Sequence, residues 1–242
     1  MYDAYSRMEI LLGQNGVNCL SSAKIAVFGL GGAGSYVVEA LARCGVGSLT
    51  LVDYDTVSLT NINRQLYALQ STVGKKKVQI AKERIRDIDD NILVHTYETF
   101  YNEDTAGMFD LKSYDYIVDA TDTVQSKILL IRNATLVRTP VISCMDTKNK
   151  INPSRFEIAD ISRVNSDAMA KSIRRELKKQ GIKKVKVLFS RERTNKALEL
   201  RNCRTQVENR IPGSISFVPS VAGLLIAGEV VRDILKEKNK NK

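Results

Sequence analysis

Short apolar runs alternate with longer amphipathic stretches along most of the chain. The short runs are rich in β-branched residues and predict buried parallel strands at 25–28, 49–53, 92–96, 115–119 and 140–144. Between them, apolar positions recur at helical spacing, as in 75–88 and 126–137. This alternation predicts an α/β fold, with a mainly parallel sheet covered by helices on both faces.

The two ends of the chain follow other patterns. Residues 1–22 predict a helical arm. Past Thr147, the strand-like FEIADI, a basic helix over Ser166–Gln180 and a lysine-rich strand predict a basic C-terminal α/β extension. The polar stretch 191–210 has no clear periodicity and predicts a loop that is mobile or ordered by substrate. We expect a last helix over Ser220–Leu235, with Ser220, which follows a proline, as its N-cap.

A glycine-rich turn joins the first strand to the helix after it. Residues 25–55 read IAVFGLGGAGSYVVEALARCGVGSLTLVDYD, so a strand, a G-x-G-G-x-G turn, a helix and a second strand follow in register. Such a turn lets the backbone approach a phosphate at the positive end of the helix dipole. Asp53 ends the second strand nineteen residues beyond the last glycine, where its carboxylate can accept hydrogen bonds from ribose hydroxyls. The pattern predicts a Rossmann-like nucleotide site whose contacts are Gly29, Gly31, Gly32, Gly34 and Asp53.

Two cationic residues distinguish between the two candidate nucleotides, a dinucleotide and ATP. On the glycine turn alone, a dinucleotide such as NAD is the common occupant. Arg64 and Lys77 follow in NINRQ and VGKKK, and Lys77 falls in the first turn of a predicted helix. Hydride transfer needs no such pair, whereas an enzyme that splits a triphosphate uses fixed cations to stabilise charge on the bridging and leaving oxygens. The sequence therefore favours ATP over a dinucleotide.

Several segments carry a resemblance to a known family. GLGGAG, DYDTVSLTNINRQ, VGKKK and DATDT occur in the order and with the spacing of the ubiquitin-activating-like adenylyltransferases, which include the molybdopterin and thiamine sulfur-carrier activating enzymes. That resemblance implies an ATP site that adenylates a carboxylate. Within the family, YSRMEILLG, DTKNKINPSRFEIADI, RRELKKQGIKKVKVLFS and PGSISFVPSVAGLLIAGEVVRDIL are similar to the tRNA threonylcarbamoyladenosine dehydratases. The likeness runs from about Tyr5 to Leu235.

The resemblance implies roles for particular residues. Arg64 matches the arginine that contacts the triphosphate, Lys77 the second phosphate cation, and Asp122 the carboxylate associated with magnesium. Arg7 matches an N-terminal arginine that enters the neighbour's site across a homodimer. Asp119, which ends the strand before Asp122, is interpreted as structural. The other implied nucleotide contacts are Asn61, Asn63, Gln65 and Thr123.

The resemblance also implies a reaction and an organisation of the chain. ATP, with Mg²⁺, adenylates the threonyl carboxylate of threonylcarbamoyladenosine in tRNA, and the carbamoyl group of the same nucleoside then closes a ring and releases AMP. We expect a single domain over 1–242, in which 1–147 binds ATP and 148–242 faces the tRNA and supports the dimer.

Positive charge is concentrated in the C-terminal extension. The 242 residues carry a formal net charge of +10, and residues 163–196 hold twelve Lys or Arg against three Asp or Glu. A solvated charged face is the default interpretation of such a run, but beside an ATP site it favours a phosphate backbone as the partner. The candidate tRNA-binding residues are Lys171, Arg174, Arg175, Lys178, Lys179, Lys183, Lys184 and Lys186.

The remaining composition indicates a soluble cytoplasmic enzyme without a membrane partner. No basic-then-apolar leader opens the sequence, and the most apolar late stretch, 221–231, is too short and too interrupted to span a bilayer. With no CxxC pair and a single histidine, His95, a tetrahedral zinc site is not expected, and His95 is assigned no role. The cysteines are scattered, which suits a reducing compartment; they are Cys19, Cys44, Cys144 and Cys203.

Two departures from the dehydratase pattern concern the acceptor. MDTKNK stands where relatives have a glycine-rich turn, so Asp146, Thr147 and Lys148 change the backbone freedom and the charge there. Asp167 and the alanine after it stand where many relatives have Cys-Pro. Cys203 is a candidate substitute for that thiol, although an inert cysteine is the simpler interpretation.

Three functions stay open on the sequence. They are ATP-dependent dehydration of the tRNA nucleoside, activation of the C-terminal carboxylate of a ubiquitin-like sulfur-carrier protein, and a non-catalytic nucleotide-binding adaptor. The basic run and the missing zinc motif favour tRNA over a carrier protein, while Arg64, Lys77 and Asp122 together disfavour an adaptor. A sulfur-transfer or carrier protein is a further candidate partner.

Overall fold

The structure, a computed structural model, describes residues 3–193 and 212–240. The strands of these residues form one seven-stranded sheet in the order β3-β2-β1-β4-β5-β7-β6. All neighbouring pairs are parallel except β6 with β7. The strands are β1 (Lys24–Phe28), β2 (Ser48–Val52), β3 (Leu93–Tyr97), β4 (Tyr116–Asp119), β5 (Val141–Cys144), β6 (Phe156–Asp160) and β7 (Lys186–Ser190). The predicted mainly parallel α/β sheet is confirmed.

Helices cover both faces of this sheet, as the alternating pattern predicts. Val38, Val78 and Ile226 belong to the core on one face, which α1, α2, α3 and α6 cover. Leu130 and Ile173 belong to the cores on the other face, under α4 and α5. The α-helices of the described residues are α1 (Ser6–Ser21), α2 (Gly32–Arg43), α3 (Lys77–Ile88), α4 (Val124–Leu136), α5 (Ala168–Lys179) and α6 (Phe217–Lys240).

The strand order reverses between β1 and β4. The chain passes from β1 outward through β2 to β3 and then returns to place β4 on the other side of β1. In sheets of this kind ligands bind outside the carboxyl ends of the strands at such a reversal. Because β7 pairs with β5 in parallel, the basic extension continues the same sheet.

One predicted helix boundary is wrong. The last helix begins at Phe217 rather than at Ser220, so Pro219 and Ser220 lie in its first turn and Ser220 is not its cap. A proline is tolerated there because the first N–H groups of a helix have no partner within it. Most of the loop predicted over 191–210 lies outside the described residues. Within the described ranges, none of the helices combines the length and the apolar character that crossing a membrane requires.

Candidate active site

A pocket of about 250 Å³ opens at the carboxyl ends of β1, β2, β4 and β5, at the reversal of strand order. Its lining brings together most of the predicted nucleotide contacts, namely Gly29, Gly31, Gly32, Asp53, Asn61, Arg64, Gln65, Lys77 and Asp122. The pocket lining does not include Gly34, Asn63, Thr123 or Arg7. The sequence therefore located the pocket, but four of the predicted residues have other positions.

The glycine turn requires glycine at two of its positions, because a side chain would not fit there. Gly29 has a φ of 89°, and a Cβ there would lie 2.5 Å from the carbonyl oxygen of Ala120. At Gly34 a Cβ would lie 1.8 Å from the carbonyl oxygen of Gly29. Gly34 therefore packs the helix onto the turn, and it is not part of the pocket lining. Helix α2 begins directly at Gly32, so its N-terminal N–H groups face the pocket region.

Asp53 ties this turn to the end of β2. Its side chain is nearly buried, and its two carboxylate oxygens accept hydrogen bonds from the N–H groups of Leu30 at 2.6 Å and Asp55 at 2.8 Å. Burial raises the pKa of the Asp53 carboxyl, and the Lys77 ammonium 3.9 Å away opposes that rise. Each oxygen retains a second lone pair, so Asp53 can still accept a hydrogen bond from a ribose hydroxyl.

Lys77 is a buried lysine that lines the pocket and is positioned by an ion pair. It is the first residue of α3 and only 4% exposed, which confirms the predicted first-turn position. Its ammonium donates to Asp55 Oδ2 at 2.6 Å. An ammonium has three donors, so Lys77 can bind a phosphate oxygen without leaving Asp55. Its role as a phosphate cation stays a prediction.

Arg64 is oriented by neutral oxygen atoms, and it has no acidic partner among the described residues. Its guanidinium donates to the carbonyl of Thr60 at 2.8 Å and to Asn63 Oδ1 at 3.1 Å. Asn63 in turn donates through Nδ2 to the carbonyl of Ser214 at 2.9 Å, so it fastens the Arg64 loop to the segment before α6. Asn63 therefore supports Arg64 in this structure, and it does not reach the pocket as a nucleotide contact.

Asn61 and Gln65 are buried supports of the same loop. Asn61 Oδ1 accepts a hydrogen bond from the N–H of Ser58 at 3.1 Å. The amide of Gln65 approaches Gly31, and its Nε2 would lie 3.9 Å from a Cβ built there. Apart from Gly31 and its two chain neighbours, no other heavy atom of the described residues lies within 4 Å of that point, which leaves open space in front of the turn.

Asp122 lies in the loop after β4 and exposes its carboxylate to the pocket. Within the described ranges it has no hydrogen bond or ion pair, so its oxygens are available to a ligand. The neighbouring Thr123 is instead the N-cap residue of α4, and its hydroxyl donates to Ser126 Oγ at 2.9 Å. Thr123 thus starts a helix and does not contact the pocket.

Lys127 is a pocket residue that the sequence analysis missed. Its side chain is 1% exposed, and its ammonium donates to Asp119 Oδ2 at 3.2 Å and to the carbonyl of Cys144 at 2.7 Å. Asp119 also accepts hydrogen bonds from Ser143 and Thr121, which confirms its interpretation as structural. The network joins the end of β4 to the end of β5. A signal was present, because Lys127 occupies a position of α4 whose helical neighbours are buried; they are Leu130, Ile131 and Ala134.

The far side of the pocket is formed by the end of β5 and the segment after it. It contains Cys144 and the residues up to Lys148, and Met169 of α5 also lines it. Burial raises the pKa of the Cys144 thiol to about 12, so this thiol stays protonated at neutral pH and is a poor nucleophile. Asp167, one of the two residues of the second predicted departure from the dehydratase pattern, caps α5 by accepting a hydrogen bond from the N–H of Ala170 at 2.9 Å. Cys203 lies outside the described residues.

The predicted basic surface divides into two groups. Arg174 donates to backbone carbonyls of Ile161, Ser162 and Val164, so it fastens α5 to the preceding loop. Lys186 is paired with Glu229 and Asp233 of α6. These two cations are engaged within the protein. The other six are exposed at the surface: Lys171, Arg175, Lys178, Lys179, Lys183 and Lys184.

Arg7 lies away from the pocket of its own chain. Tyr5, two residues before Arg7, packs beside Gly45, and its hydroxyl donates a hydrogen bond to Asp89. Gly45 precedes β2 and Asp89 precedes β3, so both residues lie at the amino edge of the sheet. The pocket opens at the opposite edge. Arg7 itself is exposed on α1.

Metal-binding side chains are not grouped in the described residues. Among residues 3–193 and 212–240, no group of three or more His, Cys, Asp or Glu side chains could hold a metal ion. Cys44 and Cys144 are free thiols.

Three comparisons with known proteins bear on the pocket and the basic surface. The sequence model of the ThiF family matches residues 5–242. The chain is 44% identical to the tRNA threonylcarbamoyladenosine dehydratase of Bacillus subtilis, over 98% of this chain and 96% of the relative. It superposes on the crystal structure of the Escherichia coli tRNA N6-threonylcarbamoyladenosine dehydratase in complex with ATP with a TM-score of 0.89, at 27% identity, covering 99% of this chain and 96% of that one. The adenylyltransferase and sulfurtransferase MOCS3 of Culex quinquefasciatus is 40% identical over only 57% of this chain and 32% of its own length.

Proposed function

The chain belongs to the ThiF family, and from that premise we propose that it is an ATP-dependent tRNA threonylcarbamoyladenosine dehydratase. The observation that carries this proposal is the near-full-length identity of 44% to a dehydratase of that name. The pocket agrees with it, since Arg64, Lys77 and Asp122 meet at one end of the sheet. The match to MOCS3 covers little more than half of the chain, which supports the dehydratase over the activation of a sulfur-carrier protein.

The reaction has two steps, and in both of them the nucleophile belongs to the substrate rather than to the protein. A carboxylate oxygen of the threonyl group attacks the α-phosphorus of ATP, and the bond from that phosphorus to pyrophosphate breaks. The carbamoyl group then attacks the activated carbonyl carbon, the bond from that carbon to AMP breaks, and a proton goes to solvent. AMP keeps the carboxylate oxygen, so the nucleoside has lost the elements of water. A ring closure of this kind gains an effective molarity on the order of 10⁵ M when the groups are well oriented.

The pocket residues act on the first step. The guanidinium of Arg64 and the ammonium of Lys77 stabilise the charge that develops on the triphosphate oxygens as pyrophosphate leaves. The backbone of the glycine turn and the N-terminus of α2 bind phosphate oxygens, and Asp53 orients the ribose. The two steps use no protein thiol, which agrees with the burial that raises the pKa of Cys144.

Mg²⁺ fits the donor set at Asp122. Magnesium prefers one or two carboxylates together with phosphate oxygens and water, and Asp122 offers one carboxylate without a protein partner in the described ranges. When bound with ATP, the ion neutralises phosphate charge. Asp122 and the phosphates would hold it, because the described residues provide no complete cage of their own.

The organisation of the protein follows from its surfaces. The exposed cations of α5 and the segment after it bind the tRNA backbone, so 148–242 faces the substrate while 1–147 binds ATP within one continuous domain. The protein is a cytoplasmic homodimer in which Arg7 reaches the partner's pocket. Ile10 and Leu11, both 81% exposed on α1, support this arrangement because a subunit interface would cover them.

Supplying the purified protein with ATP and one acceptor at a time tests the function. The acceptors are tRNA carrying threonylcarbamoyladenosine, a ubiquitin-like sulfur-carrier protein, and none. We expect AMP and pyrophosphate, and a nucleoside lighter by one water in mass spectrometry, with the tRNA alone. Adenylation of the carrier protein instead, or no turnover with either acceptor, contradicts the proposal.

The pocket assignment has its own test. We expect Arg64→Ala and Asp122→Ala each to abolish the tRNA-dependent exchange of labelled pyrophosphate into ATP. Arg86→Ala and Asp104→Ala are the matched controls, since both residues are exposed and neither lines the pocket. Normal exchange in the first two variants rejects the assignment.

A further inference from the structure

Two of the cations that line the pocket have no acidic partner. Among the described residues, Lys77 is paired with Asp55 and Lys127 with Asp119. Arg64 bonds only neutral oxygens, and Lys148 has no hydrogen bond or ion pair from its ammonium within residues 3–193 and 212–240. The reaction proposed above brings together two anions, a triphosphate and a carboxylate. Arg64 and Lys148 thus provide one cation without an acidic partner for each of these two anions.

Lys148 lies on the side of the pocket away from the ribose. It follows β5, which is separated from β1 by β4 and from β2 by two strands. With neighbouring strands roughly 4.8 Å apart, the end of β5 lies about 10 Å from the glycine turn and about 14 Å from the end of β2. The carboxylate must reach the α-phosphorus from outside the nucleotide, and Lys148 lines the pocket on the side opposite Asp53.

The loop that carries Lys148 is fixed at both ends. Before it, the carboxylate of Asp146 accepts a hydrogen bond from the N–H of Lys148 at 3.0 Å. After it, the N–H of Asn149 donates to the carbonyl of Gly213 at 2.8 Å, and the N–H of Gly213 donates back to Asn149 Oδ1 at 2.6 Å. A half-buried lysine on such a loop is positioned in advance, which lowers the cost of ordering it when a ligand binds.

The lining around Lys148 suits an amino-acid side chain with a hydroxyl and a methyl group. Thr147 and Ser214 bring polar groups, and Met169 brings an adaptable apolar surface. We propose that these residues and Lys148 form the acceptor subsite, in which the Lys148 ammonium binds the carboxylate that ATP adenylates. This inference rests on the function proposed above. It gives a role to MDTKNK, the segment in which the resemblance implies a departure from a glycine-rich turn.

Binding of a matched pair of RNAs tests the subsite. The probes are an anticodon stem-loop that carries threonylcarbamoyladenosine and the same stem-loop with unmodified adenosine. We expect the unaltered protein to bind the modified RNA about tenfold or more tightly, as a charge-assisted hydrogen bond implies, and Lys148→Met to lose that preference. Lys148→Arg should restore part of it, and Lys112→Met, at an exposed site away from the pocket, should keep it in full.

Other results separate the acceptor subsite from its alternatives. Equal weakening of both RNAs by Lys148→Met indicates a contact with the RNA backbone, and a raised Kd for ATP or pyrophosphate indicates a contact with the nucleotide. Each of these outcomes, or a preference that survives in Lys148→Met, overturns the inference. The function itself is judged by whether the unaltered protein cyclises the nucleoside, so a protein that does so while Lys148→Met keeps its preference rejects the acceptor subsite alone.

Discussion

The two buried lysines of the pocket and the exposed lysines of helix α5 carry the same chemical group in opposite settings. Lys77 and Lys127 are 4% and 1% exposed, and each donates to a carboxylate. Lys171 and Lys178 are exposed on α5 and have no acidic partner in the described residues. A buried ammonium depends on its partner and holds a fixed position, whereas an exposed one acts through its charge alone.

Two residues show that the division follows position in the fold rather than position in the sequence. Lys186 belongs to the basic run, yet it is half-buried and joins β7 to α6 through Glu229 and Asp233. Burial alone would lower the pKa of Lys186, but the hydrogen bonds to the two carboxylates raise it. Arg174 is likewise occupied by backbone carbonyls. The net charge of the run therefore overstates the charge that is offered to RNA.

The largest difference between the two settings should appear in Lys127→Met. Removing this ammonium leaves Asp119 buried and uncompensated, and breaking a buried pair in this way costs about 3–5 kcal/mol. One of the side-chain links between the ends of β4 and β5 is lost as well, which disturbs the relative positions of Asp122 and the loop that carries Lys148. We expect a lower free energy of unfolding in urea and no measurable turnover.

The matched control is Lys112→Met, which makes the same substitution at an exposed lysine. It should leave both the unfolding midpoint and the turnover unchanged. If Lys127→Met is as stable and as active as this control, the pocket lysine is not a structural link, and the contrast between the two settings is wrong.

The contrast between buried and exposed lysines also shows which features of the fold and the pocket the sequence could predict. Periodicity predicted the strands and helices, and the glycine turn with Asp53 located the pocket, because local patterns determine both. Patterns do not report which groups meet across the fold. Lys127 and Asp119 are eight residues apart on different elements, and Lys186 meets Asp233 over a separation of 47 residues, so these partners emerge only when the sheet is assembled.

A change in tRNA affinity, smaller than the effect expected for Lys127→Met, should follow from removing the exposed cations. We expect the quadruple change of Lys171, Lys178, Lys183 and Lys184 to Gln to raise the Kd for tRNA about tenfold or more. The slope of log Kd against log salt should shrink by roughly 0.9 for each phosphate contact that is lost. The melting temperature and the Kd for ATP should not change, because none of the four is buried or lines the pocket.

Lys186→Met serves as the control within the same basic run. It removes one partner of two carboxylates, which also accept hydrogen bonds from Tyr116 and Arg232, and so should lower the melting temperature. The tRNA affinity and its salt dependence should stay as they are. A quadruple variant with unaltered tRNA binding, or a Lys186→Met variant that weakens it, contradicts the assignment of the two groups.

The smallest effect should come from Glu176, the acid within the basic helix. Its carboxylate lies 2.9 Å from Lys179 and 3.4 Å from Arg175, and the hydrogen bond from Lys179 lowers the pKa of Glu176, so it carries a negative charge at neutral pH. Because exposed ion pairs contribute little to stability, we expect Glu176→Gln to leave the melting temperature unchanged. Freeing the two cations should tighten tRNA binding about twofold at low salt, and the gain should vanish at high salt. Glu83→Gln, an exposed acid on α3, is the control. Weaker tRNA binding by Glu176→Gln would mean that the carboxylate positions Arg175 and Lys179 for the RNA, and that even the exposed cations depend on partners.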